Sequence, residues 1–199
     1  TYSPFDYKTE LEEEKLRRVL NPIETAHGLP NPYYANSVVY EIERQRIFTE
    51  GWACVGFSKD VPEVGDLYPF DFTGMPLLMV RKTDDDVGIF HNVCQHRGRI
   101  LVEVPTNVKK AIVCPYHSWT YDLDGALIGT PHIGGHGRHS CSGFDRGKIG
   151  LCQVRSAQWF GLIFIDLSNE AENFYDYIRP IDERWRDFKN VKLHHMGDD

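Results

Sequence analysis

Residues 94–117 read CQHRGRILVEVPTNVKKAIVCPYH, a Cys-x-His followed, after seventeen intervening residues, by a Cys-x-x-His. Thiols and imidazoles at such short spacing are metal-ligand chemistry. The candidate ligands are Cys94, His96, Cys114 and His117. Each pair follows a short apolar run, residues 89–93 and residues 111–113, with the texture of a β-strand. Two neighbouring strands are therefore expected to end in ligand loops that clasp one metal group from opposite sides. Gly98 is free to take positive φ, which lets backbone N–H groups approach an anionic sulfur, and Pro115 stiffens the second loop.

Two Cys and two His are also the inventory of a structural zinc site, which is the alternative. Zinc sites generally keep like with like, Cys spaced near Cys and His near His. Here each loop contributes one of each, which suits a two-iron cluster with both thiolates on one iron and both imidazoles on the other.

The bulk properties bound the rest. In 199 residues, 41% hydrophobic and 13% aromatic, there is material for a core of ordinary domain size. A net charge of −7 argues against nucleic acid, whose binders gather Lys and Arg on one face. No run reaches the roughly 20 apolar residues of a membrane span, and the N-terminus lacks the basic-then-apolar pattern of a signal peptide. A soluble, cytoplasmic protein without a membrane or nucleic-acid partner is expected. Five cysteines without disulfide-scaffold spacing fit metal binding or burial. The start at Thr1 and the end at Met-Gly-Asp-Asp suggest a fragment or a trimmed chain.

Residues 1–51 read as a helical arm. A capping box at residues 9–12 opens a helix with Leu16, Val19 and Leu20 on one face, closed by Asn21-Pro22; a second helix from Ser37 to Gly51 turns Val39, Ile42 and Ile47 inward. Residues 52–167 read as an antiparallel β domain, with strands at 77–80, 89–93, 111–114, 151–154 and 162–165 and hairpin tips at residues 82–86 and Asp124-Gly125. Residues 168–199 turn helical again, with Phe174, Tyr177, Ile178, Ile181 and Trp185 as the apolar set. The fold class is mainly β, an antiparallel β-sandwich with flanking helices, α+β overall.

CQHRG together with CPYHSW resembles the Rieske [2Fe-2S] signature C-x-H-R-G…C-P-Y-H-x-W of ring-hydroxylating and related Rieske oxygenases, and the likeness covers nearly the whole chain. It implies a [2Fe-2S] cluster with Cys94 and Cys114 on one iron and His96 and His117 on the other, with Arg97, Gly98, Tyr116 and Trp119 around it. High-potential Rieske proteins carry a further disulfide at the positions matching Arg99 and Tyr116, and a Ser where Trp119 stands, so the low-potential, oxygenase-feeding type is implied. Ser118 stands where the family commonly has Gly. With imidazole ligands, electron uptake is expected to couple to protons at high pH.

In such oxygenases the α subunit continues into a catalytic domain whose mononuclear iron is held by two His and a carboxylate. That domain is not recognisable here: Arg179 occupies the His position of a look-alike run at residues 172–177, and His194-His195 with Asp198 and Asp199 sit on a strand pattern whose adjacent residues face opposite ways. The resemblance implies electron transfer from a reductase or ferredoxin to a mononuclear iron that activates oxygen, in homotrimers where the cluster of one subunit serves its neighbour. A stand-alone Rieske ferredoxin is the alternative. The likeness extends to aromatic-ring dioxygenases and to quaternary-ammonium monooxygenases without separating them.

Three His in a Gly-rich loop, His132, His136 and His139, read as a solvated loop, and Cys54, Cys141 and Cys152 as core or free thiols. Arg97 reads as a surface charge or a partner of a nearby carboxylate, with the family likeness favouring a structural role beside the cluster.

Overall fold

Strand β3 (Met75–Arg81) has an apolar run that is buried on both faces, and this double burial organises the molecule. A computed structural model describes residues 13–188. The capping box at residues 9–12 and the residues His194, His195, Asp198 and Asp199 lie outside them. Among the described residues ten strands form two antiparallel sheets. The larger contains β1 (Trp52–Phe57), β2 (Asp66–Phe72), β3, β4 (Val87–His91), β5 (Thr106–Asn107), β9 (Gln153–Trp159) and β10 (Leu162–Asp166), in the order β1-β10-β9-β4-β3-β2-β5. The smaller is β6 (Ala111–Val113), β7 (Thr120–Asp122) and β8 (Leu127–Gly129).

Leu77 and Met79 of β3 pack with Val61, Ile89, Ile163 and Ile165, while Leu78 and Val80 face Phe90, Ile112, Tyr121 and Leu127. The period-2 alternation thus sends one set to each of two cores. Each fully buried Leu or Ile contributes roughly 1.5–3 kcal/mol. The second core is where the small sheet rests on the large one. β9 pairs first with β4, Ile89 opposite Val154, and then along its length with β10. Residues 92–152 are therefore an excursion from between two adjacent strands, and everything the ligand motif needs lies within it.

Both expected hairpin tips are present. Lys82 N–H donates to Asp86 O at 2.9 Å and closes the β3–β4 turn. Its ammonium contacts Asp86 at 2.8 Å and Asp124 at 3.0 Å, tying this tip to the β7–β8 tip. At the latter, Gly125 has φ +83° and a Cβ there would lie 2.7 Å from the ring of Phe90, so the turn requires glycine on conformational and steric grounds.

On the far side, α4 (Phe174–Arg184) is capped by Asn173, whose side chain accepts from Tyr175 N–H at 2.9 Å. Phe174 and Ile178 pack on Trp52 and Phe164. Asp166, wholly buried, accepts from Arg155 at 2.8 Å and from Ser168 and Ala171, so the chain leaving β10 is held by one carboxylate.

The arms depart from expectation. Within the described residues α1 covers Glu13–Arg17 and runs on as a 3₁₀ turn over Arg18–Leu20, and Leu20 is 85% exposed rather than inward. A short α2 (Pro32–Ala35) precedes α3 (Ser37–Glu43), which gives way to a π turn, Arg44–Thr49. Glu50 N–H accordingly bonds Gln45 O, five residues back. Val39 and Ile42, ahead of it, are buried as expected, whereas the wider turn shifts the side chains within it and Ile47 is exposed. The strand expected at 151–154 begins at Gln153 and runs to Trp159, because Leu151 N–H is taken by Gly125 O outside the ladder. Tyr177, Ile181 and Trp185 of the expected apolar set are half exposed.

Candidate metal centre

The two ligand loops are built alike. In the first, Cys94 N–H donates to Arg99 O at 2.8 Å and Gly98 N–H donates to Cys94 O at 3.0 Å; in the second, Cys114 N–H donates to Trp119 O at 2.8 Å and Ser118 N–H to Cys114 O at 3.0 Å. Both turn through a left-handed residue four positions after the Cys, Gly98 at φ 70° and Ser118 at φ 57°. Contrary to expectation, the loops do not hang from neighbouring strands. The first follows β4 of the large sheet, while the second is the β6–β7 connection of the small one. Packing of sheet on sheet, not strand pairing, brings them together.

Asn92 holds the base of the first loop. Its backbone N–H donates to Pro76 O at 2.9 Å, and its buried side chain donates to Val102 O at 2.7 Å while accepting from Val102 N–H at 3.0 Å. A buried amide with donor and acceptor both satisfied fixes where the chain enters and leaves the loop. Spacing alone could not single it out.

Cys94 and Cys114 are both buried, and Cys114 adds to the burial that raises the Cys94 thiol. His96 and His117 face each other with ring centroids 4.8 Å apart. The Nδ1 atoms of both rings are buried and have no hydrogen-bond partner. Two orphaned nitrogens beside two buried thiols are what a metal group would satisfy. Among the described residues no three His, Cys, Asp or Glu are placed to hold a single ion, which disfavours a zinc tetrahedron. One side of the site offers sulfur and the other offers nitrogen, which fits a group with two metals.

Electrostatics favour neutral imidazole. Burial, the facing His117 and the adjacent Arg97 hold His96 below the ordinary range, leaving a lone pair for a metal. Burial raises the Cys94 thiol, so metal binding there releases a proton.

Trp119 is buried and stacks on His96, centroids 4.6 Å apart and planes 10° apart, with Phe144 against its edge at 5.8 Å. Tyr116 is 58% exposed and lies tilted over His117 at 3.6 Å. Arg99, Pro115 and Tyr116 line an open depression of about 390 Å³ at the mouth. Arg97 is exposed, with no carboxylate partner among the described residues. Tyr121, which the spacing did not flag, is fully buried; its oxygen accepts from Gln95 N–H at 3.0 Å and lies 3.3 Å from Cys94 Sγ. The three histidines of the 130–140 loop are exposed, and the Nδ1 atoms of His132 and His139 accept backbone N–H groups within the loop. Cys54, Cys141 and Cys152 are free and exposed, not core thiols.

Residues 51–140 match the Rieske [2Fe-2S] domain family. The chain is 32% identical over 170 residues, 84% of its length, to the glycine betaine monooxygenase oxygenase subunit of Chromohalobacter salexigens, and 31% identical over 180 residues, 88% of its length, to the biphenyl dioxygenase subunit alpha of Paraburkholderia xenovorans. It spans only 37% and 39% of those relatives. Among solved structures, the quaternary ammonium Rieske monooxygenase CntA in complex with gamma-butyrobetaine superposes with a TM-score of 0.69 at 28% identity, covering 83% of this chain and 47% of that one. A Rieske domain binds a [2Fe-2S] cluster, and the donor set here fits one. Residues 51–140 are thus a Rieske [2Fe-2S] domain, in a chain whose similar proteins are Rieske oxygenase subunits.

Proposed function

We propose that Cys94 and Cys114 hold one iron of the cluster through sulfur and that His96 and His117 hold the other through Nδ1. The observation that carries this is the pair of buried, unpartnered Nδ1 atoms beside two buried thiols. A bound Rieske cluster supplies reversible one-electron chemistry. The chain's own residues govern its setting. Trp119 keeps water from the imidazole side, Tyr121 presents a hydroxyl to Cys94, and Gly98 and Ser118 bend the loops. With Nδ1 committed to metal, each ring's Nε2 is left as the outward atom.

We read the chain as the electron-transfer portion of an oxygenase α subunit, taking electrons from a reductase or ferredoxin and passing them to a mononuclear iron in a catalytic domain, in a cytoplasmic homotrimer. Residues 1–51 then form the arm, 52–167 the Rieske domain and 168–199 the connector. Support comes from the oxygenase relatives and from α4, docked through Phe174 and Ile178 beyond what a carrier domain needs. Among the described residues no helix is long and apolar enough to cross a membrane.

The test is electron paramagnetic resonance of the dithionite-reduced protein with a parallel iron and zinc count. Two irons per chain and an average g below that of the free electron are expected, and Cys114→Ser and His117→Ala should each be colourless. Zinc without that signal, or a cluster retained in both variants, overturns the assignment.

A further inference from the structure

The charge of this molecule is unevenly placed. Residues 92–150 hold seven Lys or Arg against four Asp or Glu, whereas the rest of the chain holds fifteen against twenty-five. The excursion that carries the ligand loops is thus positive on a chain of net charge −7.

Lys109 and Lys110, just before Ala111, lie at the far end of the small sheet with its acids, so the excess of positive charge falls at the ligand-loop end. Arg97 and Arg99 lie in the first loop. β8 pairs Gly129 with Thr120, beside Trp119, so the 130–140 loop with Arg138 and three histidines leaves the small sheet at this same end. Phe144, against Trp119, anchors its return. The acids of the small sheet sit at the opposite end: Asp122 pairs with Ala111, and Asp124 is tied to Lys82. Of the acids near the ligand loops, Glu103 is paired with Arg99, and Asp145, next to Phe144, lies 3.5 Å from Lys148. Arg97, Arg99 and Arg138 are exposed, and neither Arg97 nor Arg138 has a carboxylate partner among the described residues.

We infer that the ligand-loop end, rimmed by Arg97, Arg99 and Arg138, is a docking face for a small acidic redox protein. This rests on the proposed electron-transfer role and adds the chemistry of the donor. A local positive field on a negative protein orients an acidic partner toward this end and repels it elsewhere, raising the rate of productive encounter at low salt. The step served transfers one electron from the reduced partner to the oxidised cluster.

Two measurements test it. The first needs no redox chemistry. At pH 7.5 the protein should be retained on a sulfopropyl cation exchanger despite its net negative charge, and Arg99→Glu with Arg138→Glu should abolish retention. The second is stopped-flow reduction of the cluster-loaded chain by a dithionite-reduced, acidic plant-type [2Fe-2S] ferredoxin used as a probe. Its rate should fall at least about threefold from low to physiological salt, and the double variant, matched for iron content, should lose a similar factor at low salt and most of the salt dependence. No retention on the exchanger, a rate that rises with salt as the whole-molecule charge demands, or a double variant that behaves as the parent overturns the inference. Should the chain show no paramagnetic signal, the proposed function fails, while the exchanger still decides the surface. If the ferredoxin rate ignores salt while retention is seen, an acidic redox partner is ruled out, and the basic rim belongs to contact with a neighbouring oxygenase subunit.

Discussion

Ser118 occupies in the second ligand loop the place that Gly98 occupies in the first, with the same hydrogen bond to its loop's cysteine carbonyl and φ 57° against 70°. A left-handed backbone costs an L residue roughly 1–2 kcal/mol that glycine avoids, partly offset by glycine's freer unfolded chain. Ser118→Gly should therefore stabilise the loaded protein by about 1 kcal/mol, read as a rise of about 2–4 °C in thermal midpoint at a fixed scan rate. An unchanged or lowered midpoint would show that the serine is not strained there.

Tyr121 sets the second expectation. Gln95 N–H can only donate, so the phenol oxygen accepts that bond and its own hydrogen is left for Cys94 Sγ. Burial, reinforced by the Cys94 contact, raises the phenol well above its ordinary range, so the proton is present at any working pH. A donor to a ligand sulfur stabilises the reduced, more negative cluster. Removing one worth about 1 kcal/mol corresponds to about 40–60 mV for one electron, so Tyr121→Phe should shift the potential that far negative. A redox titration that finds no shift would sever Tyr121 from the cluster's electronics.

Asp166 makes the stability of the β10–α4 connection depend on pH. Burial alone would raise its carboxyl, but the Ser168 hydroxyl, the Ala171 amide and Arg155 more than offset this and hold it below the usual carboxylate value. A depressed folded value means stabilisation that is complete above the unfolded carboxylate range and lost as pH falls toward the folded one. Asp166→Asn should cost about 2 kcal/mol or more at pH 7 and flatten the acid limb of a stability–pH profile. Parallel acid limbs for parent and variant would show that other groups govern acid unfolding.

Gly125→Ala should destabilise by about 1–3 kcal/mol, because the new methyl meets the Phe90 ring and the backbone stays left-handed. Pairing the variant with Phe90→Leu separates the two causes: partial rescue identifies the steric one, and a full cost retained identifies the backbone.

The parts of this molecule that could be read directly are those whose chemistry is local. Cys94, His96, Cys114 and His117 announce themselves by spacing, and the Lys82 and Asp124-Gly125 turns by composition. The parts that escaped depend on partners far along the chain. β2 was hidden by Pro69, which is tolerated because β5 pairs only with Asp66 and Leu67 and leaves the rest of that edge open. β1 pairs only with β10, more than a hundred residues on. The roles of Tyr121 and Asn92 arise from contacts made once the two sheets have met, and the π turn at Arg44–Thr49 left no mark in the apolar pattern.

The placement of residues 92–152 between β4 and β9 also bears on the order of synthesis. A ribosome finishes both ligand loops and the small sheet before it has made β9 or β10, the strands that close the large sheet over β4 and β1. A nascent chain halted at that point would hold a complete set of metal ligands above a sheet with two strands still awaiting partners. Unpaired strand edges are templates for association with other chains. For this fold, the interval between completing the ligand loops and completing β10 is when the growing chain is most exposed to aggregation.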